Sequence, residues 1–413
     1  MVRRPVRLYV FSLAAMLVPA LAQFVLFAIY ARVLGLEAYG VYVALLSWAP
    51  LCFELVGWGA GDYLVKRTTQ NPLSFSAARA HMRKMLGLTI LPAAALFALA
   101  TALVIGDRIS PAIIFAIGLC ELGGLRLIVN AEQSALALGR LSHANRFRLM
   151  QALPRLPAVL LALHLGFISL EALALASAAG LLVTGLAAAS IAAKLYPPAP
   201  SGALLAEGLR DGTWFMGSQM VRAGQHNVDR VVLSALVDPA TLALYGVAQR
   251  FVQMGLLPLQ AVLRLTYPRF FAEGRGGMAP TLRFALIILP VVLLVAIASA
   301  GGLLVGGMAI PLLLGAQFGQ ATLYLAHLAP ILVLFALQSL TADALSGAGY
   351  LRARTLLIAL GVGLQALGFL LWHEGLEIVL ASYAGLAASV LLTVSTVLLI
   401  VRAESRRRLV VPA

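Results

Sequence analysis

The chain has 413 residues, of which 62% are hydrophobic and 11% charged, with a net charge of +14. Soluble domains carry about a quarter charged residues, so a chain this apolar cannot hide its side chains in its own interior, and lipid must be its solvent. The only cysteines, Cys52 and Cys120, sit inside apolar stretches and exclude a disulfide framework. No segment shows the alternating pattern of a barrel strand, which leaves helices to satisfy the backbone in lipid.

The N-terminus reads basic, MVRRPVR, followed by an apolar run that passes Ala20-Leu21-Ala22 unbroken to about Ala31. That run is too long for the apolar core of a signal peptide and is expected to stay as a first transmembrane helix. Stretches able to cross about 30 Å of hydrocarbon are predicted at 8–31, 40–62, 86–106, 111–136, 149–168, 171–193, 213–236, 240–265, 284–306, 325–346, 355–372 and 377–401. Residues 308–324 are also apolar and are expected to form a short helix in the outer interface. Alternating the loops puts 23 of the 30 Lys and Arg residues on the side of the two termini, against Arg32 and Arg108 on the other. The positive-inside rule therefore supports twelve spans with both ends in the cytoplasm. The basic excess is topological, and no nucleic-acid partner is implied.

Two echoes suggest that the chain is doubled. Tyr39-Gly40-Val41 recurs as Tyr245-Gly246-Val247, 206 positions later, and Gly139-Arg140-Leu141 as Gly349-Tyr350-Leu351, 210 positions later. Six spans per half make the halves parallel, a transporter plan with a site where the repeats meet. The predicted organisation is a six-helix lobe over 1–195, a cytoplasmic linker over 196–210 containing Pro197-Pro198-Ala199-Pro200, and a second six-helix lobe over 211–413, around a central cavity.

No P-loop, HExxH or metal-spaced Cys/His set is present, so neither an ATP-driven pump nor an intramembrane enzyme is indicated. The informative stretch is span seven. At 100° per residue, Ser218, Gln219, Arg222, Gln225, His226, Asp229 and Arg230 fall within an arc of roughly 140°. Such an arc at membrane depth faces water or other polar groups. Arg222 lies roughly 15 Å from the cytoplasmic end, near the midplane. Gln249, Gln253 and Gln260 form a stripe on span eight with Arg250 at its edge. Ser47, Glu54 and Trp58 do so on span two near Asp62, and Ser12, Pro19, Gln23 and Tyr30 on span one. Pro19 and Pro258 permit bending where the polar space begins.

Each group also has a purely architectural reading. Asp229 can pair with Arg222, and Glu121 and Glu132 with Arg126 or Arg155, simply to stabilise the bundle. The glutamines can be interhelical hydrogen-bonding groups. Asp343 and His327 read as structural, and Tyr9, Trp214 and Trp372 as interface anchors.

The segment Ala31-Arg32-Val33-Leu34-Gly35-Leu36-Glu37-Ala38-Tyr39-Gly40-Val41-Tyr42 resembles the N-terminal signature of Wzx-type polysaccharide-biosynthesis flippases. These belong to the multidrug/oligosaccharidyl-lipid/polysaccharide exporter superfamily. Glu54 to Arg67, Asn227-Val228-Asp229-Arg230 with Leu244-Tyr245-Gly246-Val247, and Ala342 to Gly349 resemble later stretches of the same family. The resemblance implies a non-enzymatic flippase of the inner membrane. Its substrate would be a polyprenyl-diphosphate-linked oligosaccharide, moved by alternating access. On this sequence it implies Arg222, Arg250 and Arg230 for the anionic head group, and Gln23, Gln219, Gln249 and Gln253 for sugar hydroxyls. His226, Asp229 and Asp62 would serve proton or sodium coupling, with no other cofactor and no metal. A monomer is expected, working beside a glycan polymerase and glycosyltransferases. The alternatives are a cation-coupled multidrug efflux transporter, which would want an acid-rich cavity, and a membrane-embedded glycan polymerase or ligase, which would want a large outer loop.

Overall fold

A computed structural model describes residues 3–151, 155–196 and 204–410, with side chains at 18, 19, 21–151, 155–196 and 204–406. Tyr9 and Ser12 fall outside those side chains, and Pro197 to Gly202 of the expected linker fall outside the described residues. The described residues are helical nearly throughout and include no strand.

The chain divides into two compact units, Met1–Ala223 and Gly224–Ala413. The first contains α1 (Arg3–Ser47), α2 (Ala49–Leu55), α3 (Ala60–Gln70), α4 (Phe75–Ile105), α5 (Pro111–Ala137), α6 (Leu141–Met150), α7 (Arg155–His164), α8 (Leu170–Leu195) and the start of α9 (Ala206–Leu236). The second contains the rest of α9, then α10 (Pro239–Glu273), α11 (Met278–Gly307), α12 (Ile310–Leu314), α13 (Gly319–Leu328), α14 (Ile331–Gly347), α15 (Leu351–Leu371) and α16 (Glu377–Val410). The unit boundary thus falls inside a continuous helix, beyond the linker that the Pro-rich stretch suggested.

Among the described residues, seven helical stretches are long and apolar enough to cross a membrane, or eight if α13 and α14, bent by 46°, count as one broken span. One of the seven, Leu21–Gln70, holds the end of the first span expected from sequence and all of the second. The chain turns between them at Gly35, whose φ of 76° is left-handed and suits glycine. The expected spans 213–236 and 240–265 form α9 and α10, of 31 and 35 residues. Both are long enough to cross a membrane but too polar to count among those seven stretches. The fifth expected span, 149–168, is less regular, with α6 and α7 of only 10 residues each. The apolar 308–324 stretch forms α12 and the start of α13.

Helices in lipid gain nothing from burying leucine against leucine, so close backbone approach and dispersion hold them together. In the first unit α5 and α8 meet at Gly124 and Gly185. A β-carbon on Gly124 would come within 2.7 Å of the Leu181 and Leu182 backbone. Leucines such as Leu103 and Leu294 point outward, 79% and 67% exposed. Two helix starts, those of α8 and α10, carry side-chain caps. Ser169 accepts from Ala172 N at 3.2 Å, and Asp238 accepts from Thr241 N at 3.0 Å and Thr241 Oγ1 at 2.6 Å. The Thr241 hydroxyl and the amides at the start of α10 hold the Asp238 carboxyl below its ordinary range. Asp238→Ala is expected to cost about 1 kcal/mol and to lower the melting temperature by a few degrees. Asp238→Asn should largely restore it in a thermal melt.

Candidate functional site: a broken helix in the first unit

The second span does not run straight. Beyond α2 the chain makes a turn, Val56-Gly57-Trp58-Gly59, before α3 begins. Gly57, Trp58 and Gly59 have φ of 79°, 47° and 66°. Among the described residues Trp58 is the one non-glycine with positive φ. Three consecutive left-handed residues leave α-helical hydrogen bonds unmade, and at membrane depth those groups need other partners. Three contacts serve that backbone, and a fourth ties down the Trp58 indole. Gly57 N donates to Thr89 Oγ1 of α4 at 2.7 Å. Arg126 Nη2 of α5 donates to the Phe53 carbonyl at 2.6 Å. Trp58 Nε1 donates to Thr213 Oγ1 of α9 at 2.9 Å. Trp58 N reaches back to Leu55 O at 3.3 Å.

The turn also presses against α9. A β-carbon on Gly59 would lie 2.9 Å from Met216 N and closer still to the Gly212 carbonyl, while one on Gly212 would strike the Trp58 carbonyl. Backbone meets backbone there. Lys66 Nζ holds Asp211 at 2.6 Å and Arg67 holds Glu207 at 3.4 Å, which fastens α3 to the start of α9.

Around this break sit the charged side chains of the first unit. Arg126 is buried, with its guanidinium 4.0 Å from the Phe53 ring centroid and 3.9 Å from the Glu54 carboxylate. Asp62, half-buried at the start of α3, accepts from Gln133 Nε2 at 3.1 Å and Gln219 Nε2 at 3.3 Å. One turn beyond Gln219 the exposed Arg222 lies within Coulombic range of Glu54. The result is a chain of groups from Arg126 through Glu54 to Arg222, with an acid on two amides beside it. No grouping of three or more His, Cys, Asp and Glu that could hold a metal occurs among the described residues.

The sequence-expected residues divide between the units. Gln23, Asp62, Gln219 and Arg222 belong to the first; Gln23 is exposed on α1. His226, Asp229, Arg230, Gln249, Arg250 and Gln253 belong to the second. Asp229 is 2% exposed and accepts from Tyr245 OH at 2.9 Å and from Arg230 N at 2.8 Å. Arg230 donates to Asn227. His226 is exposed, while Gln249, Arg250 and Gln253 are half-buried. Gln225 donates to Gln338 at 2.9 Å and Gln338 to Ser389 at 2.6 Å, an interhelical link of the architectural kind.

The ion pairs differ from those expected. Glu121 does pair with Arg155, but Glu132 takes Arg148 of α6, and Arg126 takes Glu54. Sequence proximity offers Arg126 the acids of its own helix, Glu121 and Glu132, whereas the break in span two brings Glu54 to it. Asp343 pairs with Arg354 at 3.9 Å, and His327 Nδ1 lies 2.8 Å from its own helix's Leu323 carbonyl. Trp214 and Trp372 are exposed. Gln133, Thr89 and Thr213 escaped sequence reasoning. The available signal was Gly57-Trp58-Gly59-Ala60-Gly61, three glycines in five positions inside a span.

The family model described as "Polysaccharide biosynthesis protein" matches residues 9–272. No curated protein matches the chain. Among solved structures, an inward-facing multidrug resistance MATE family transporter of the MOP superfamily superposes with a TM-score of 0.71 at 15% identity, covering 95% of this chain and 99% of that one. The lipid II flippase MurJ in an inward closed conformation gives 0.75 at 12% identity, covering 94% and 87%. A MOP superfamily transporter from Pyrococcus furiosus, described as having a binding pocket of reversed polarity, gives 0.64 at 14% identity, covering 97% and 95%. At these identities the likeness shows the fold, an all-α multi-pass membrane fold shared with transporters.

Proposed function

The chain belongs to the polysaccharide biosynthesis protein family, and we propose that it flips a polyprenyl-diphosphate-linked oligosaccharide across the bacterial cytoplasmic membrane by alternating access. The family match over 9–272 is the observation that carries this reading. In it the chain spans the membrane twelve times with both termini in the cytoplasm, as the distribution of Lys and Arg favours. It acts as a monomer that delivers its product to a glycan polymerase and receives substrate from glycosyltransferases. Arg222 of the first unit, and Arg250 and Arg230 of the second, take the anionic diphosphate. Gln23, Gln219, Gln249 and Gln253 take sugar hydroxyls.

Asp62, His226 and Asp229 are the groups through which a proton or sodium ion would act. Asp62 is favoured, because it is half-buried beside broken backbone with two movable amides as partners. The Asp229 carboxylate is 2% exposed and already taken by Tyr245 and a main-chain amide. The excess of arginine over acid among these residues argues against an organic cation as cargo. Deleting the gene is expected to accumulate completed carrier-linked oligosaccharide in membrane extracts. Wild type added back should clear it, and an Arg222→Ala/Arg250→Ala variant present at equal level should not. Normal carrier-glycan levels together with new sensitivity to cationic drugs would put efflux in first place.

A further inference from the structure

Between α4, α5 and α8 of the first unit lies a cavity of about 400 Å³, lined by none of the residues assigned to transport. Its rim is basic. Arg79 and Arg83, one turn apart on α4, both line it. Arg79 is 6% exposed and donates to the carbonyls of Ala192 at 3.0 Å and Tyr196 at 3.4 Å, at the end of α8. The Tyr196 ring has Arg79 at 5.7 Å and Arg140 at 5.6 Å. Capping α8 accounts for Arg79. It does not account for Arg83, exposed at the same rim, since like charges one turn apart on a helix repel. Among the described residues no acidic side chain lines the cavity.

Each wall changes character in step. α4 goes from Arg79 to Leu86, α5 from Ser134 to Leu127, and α8 from Ala193, beside the lining Ser190, to Leu186. α4 and α5 therefore pass from a polar end to leucine over about 10 Å, and α8 from Ser190 to Leu186 within about one turn. A compartment with cationic donors at one end and hydrocarbon beyond matches a phosphate head group and the upper part of an acyl chain. Its rim lies at the start of α4 and the ends of α5 and α8, the side on which the loops carry most of the lysine and arginine.

We propose that this cavity binds an anionic phospholipid from the adjoining leaflet. Its phosphate sits against Arg83 and Arg79, and one acyl chain runs along Leu86, Leu127 and Leu186. α4 and α5 also carry Thr89 and Arg126, which hold the broken span, so the bound lipid braces the helices that define the site. The proposal does not depend on what the protein transports.

Purified full-length protein in detergent, titrated by native mass spectrometry and thermal melting, tests it with three probes: phosphatidylglycerol, phosphatidylethanolamine and inorganic phosphate. Phosphatidylglycerol is expected to bind more tightly than phosphatidylethanolamine and to raise the melting temperature. Arg83→Ala should weaken phosphatidylglycerol about fivefold, and Arg83→Lys should recover most of that loss. Ser190→Trp fills the cavity from its exposed rim and should remove saturable binding. Ala193→Trp does the same from a second exposed position should the first variant not fold. Equal binding of the two lipids, or binding untouched in the tryptophan variants, would overturn the proposal. So would inorganic phosphate alone giving the same Arg83-dependent protection, which would mark a site for a free anion.

Discussion

Replacing Arg126 by leucine is expected to abolish transport and to cost about 3–5 kcal/mol of stability, the usual result of removing one partner of a buried charge pair. Arg126 does three things at once: it donates to the Phe53 carbonyl at 2.6 Å, covers the Phe53 ring at 4.0 Å, and faces Glu54 at 3.9 Å. A Gly57 side chain would also touch it, since a β-carbon there would sit 3.5 Å from Arg126 Cδ. Lysine keeps the charge but has no planar fork to serve carbonyl, ring and carboxylate together, so Arg126→Lys should retain the fold and only part of the activity. The informative variant is the double one. In Glu54→Gln/Arg126→Leu no carboxylate is left without its cation, so much of the lost stability should return. Transport should stay at background, because the broken backbone still lacks its donor. Recovery of both together would mean that the pair is architectural only.

The second large effect is expected at Gly59. Any other residue there would hold φ near 66°, which costs about 1–2 kcal/mol, and its β-carbon would meet main-chain atoms of α9. Met216 N lies at 2.9 Å and the Gly212 carbonyl is nearer. Main-chain atoms cannot step aside as a flexible side chain can, so Gly59→Ala should either fail to fold or push α9 away from the turn. Gly212→Val should do the same from the other side. Gly87, in the interior of α4, has nothing within 4 Å of a β-carbon, and Gly87→Ala should leave melting and transport near wild type. Folded protein recovered in detergent and carrier-glycan clearance in cells would score all three.

Much of the architecture is legible in the sequence, because hydrophobic length and loop charge are long-range signals that survive local irregularity. The membrane class and the all-helical fold follow from them, and the polar faces of α9 and α10 explain why those two helices look least like spans. The break in span two is different. Residues 40–62 read as one apolar stretch, since Gly57, Trp58 and Gly59 do not interrupt hydropathy and only their dihedral angles reveal the turn. The pairing of Glu54 with Arg126 depends on that turn, so the sequence offered Arg126 only Glu121 and Glu132, of which Glu121 takes the alternative Arg155. Asp62 was identifiable by its place near a polar stripe, whereas its partner Gln133 lay on α5, where the charged Glu121, Arg126 and Glu132 are the residues that stand out. The burial of Asp229 was likewise invisible, because a helical wheel reports direction and says nothing about what packs opposite. Tyr245 OH and Ser382 close that space.

The most direct test of the flippase reading is made in liposomes containing the purified protein and a polyprenyl-diphosphate oligosaccharide with a labelled terminal sugar. The readout is the fraction of label that an impermeant reagent can reach over time. Protein-dependent equilibration between leaflets, lost in Arg222→Ala/Arg250→Ala and in Arg126→Leu reconstituted to the same density, is the predicted result. Label that stays in its original leaflet in wild-type liposomes, with and without an imposed proton or sodium gradient, would contradict it.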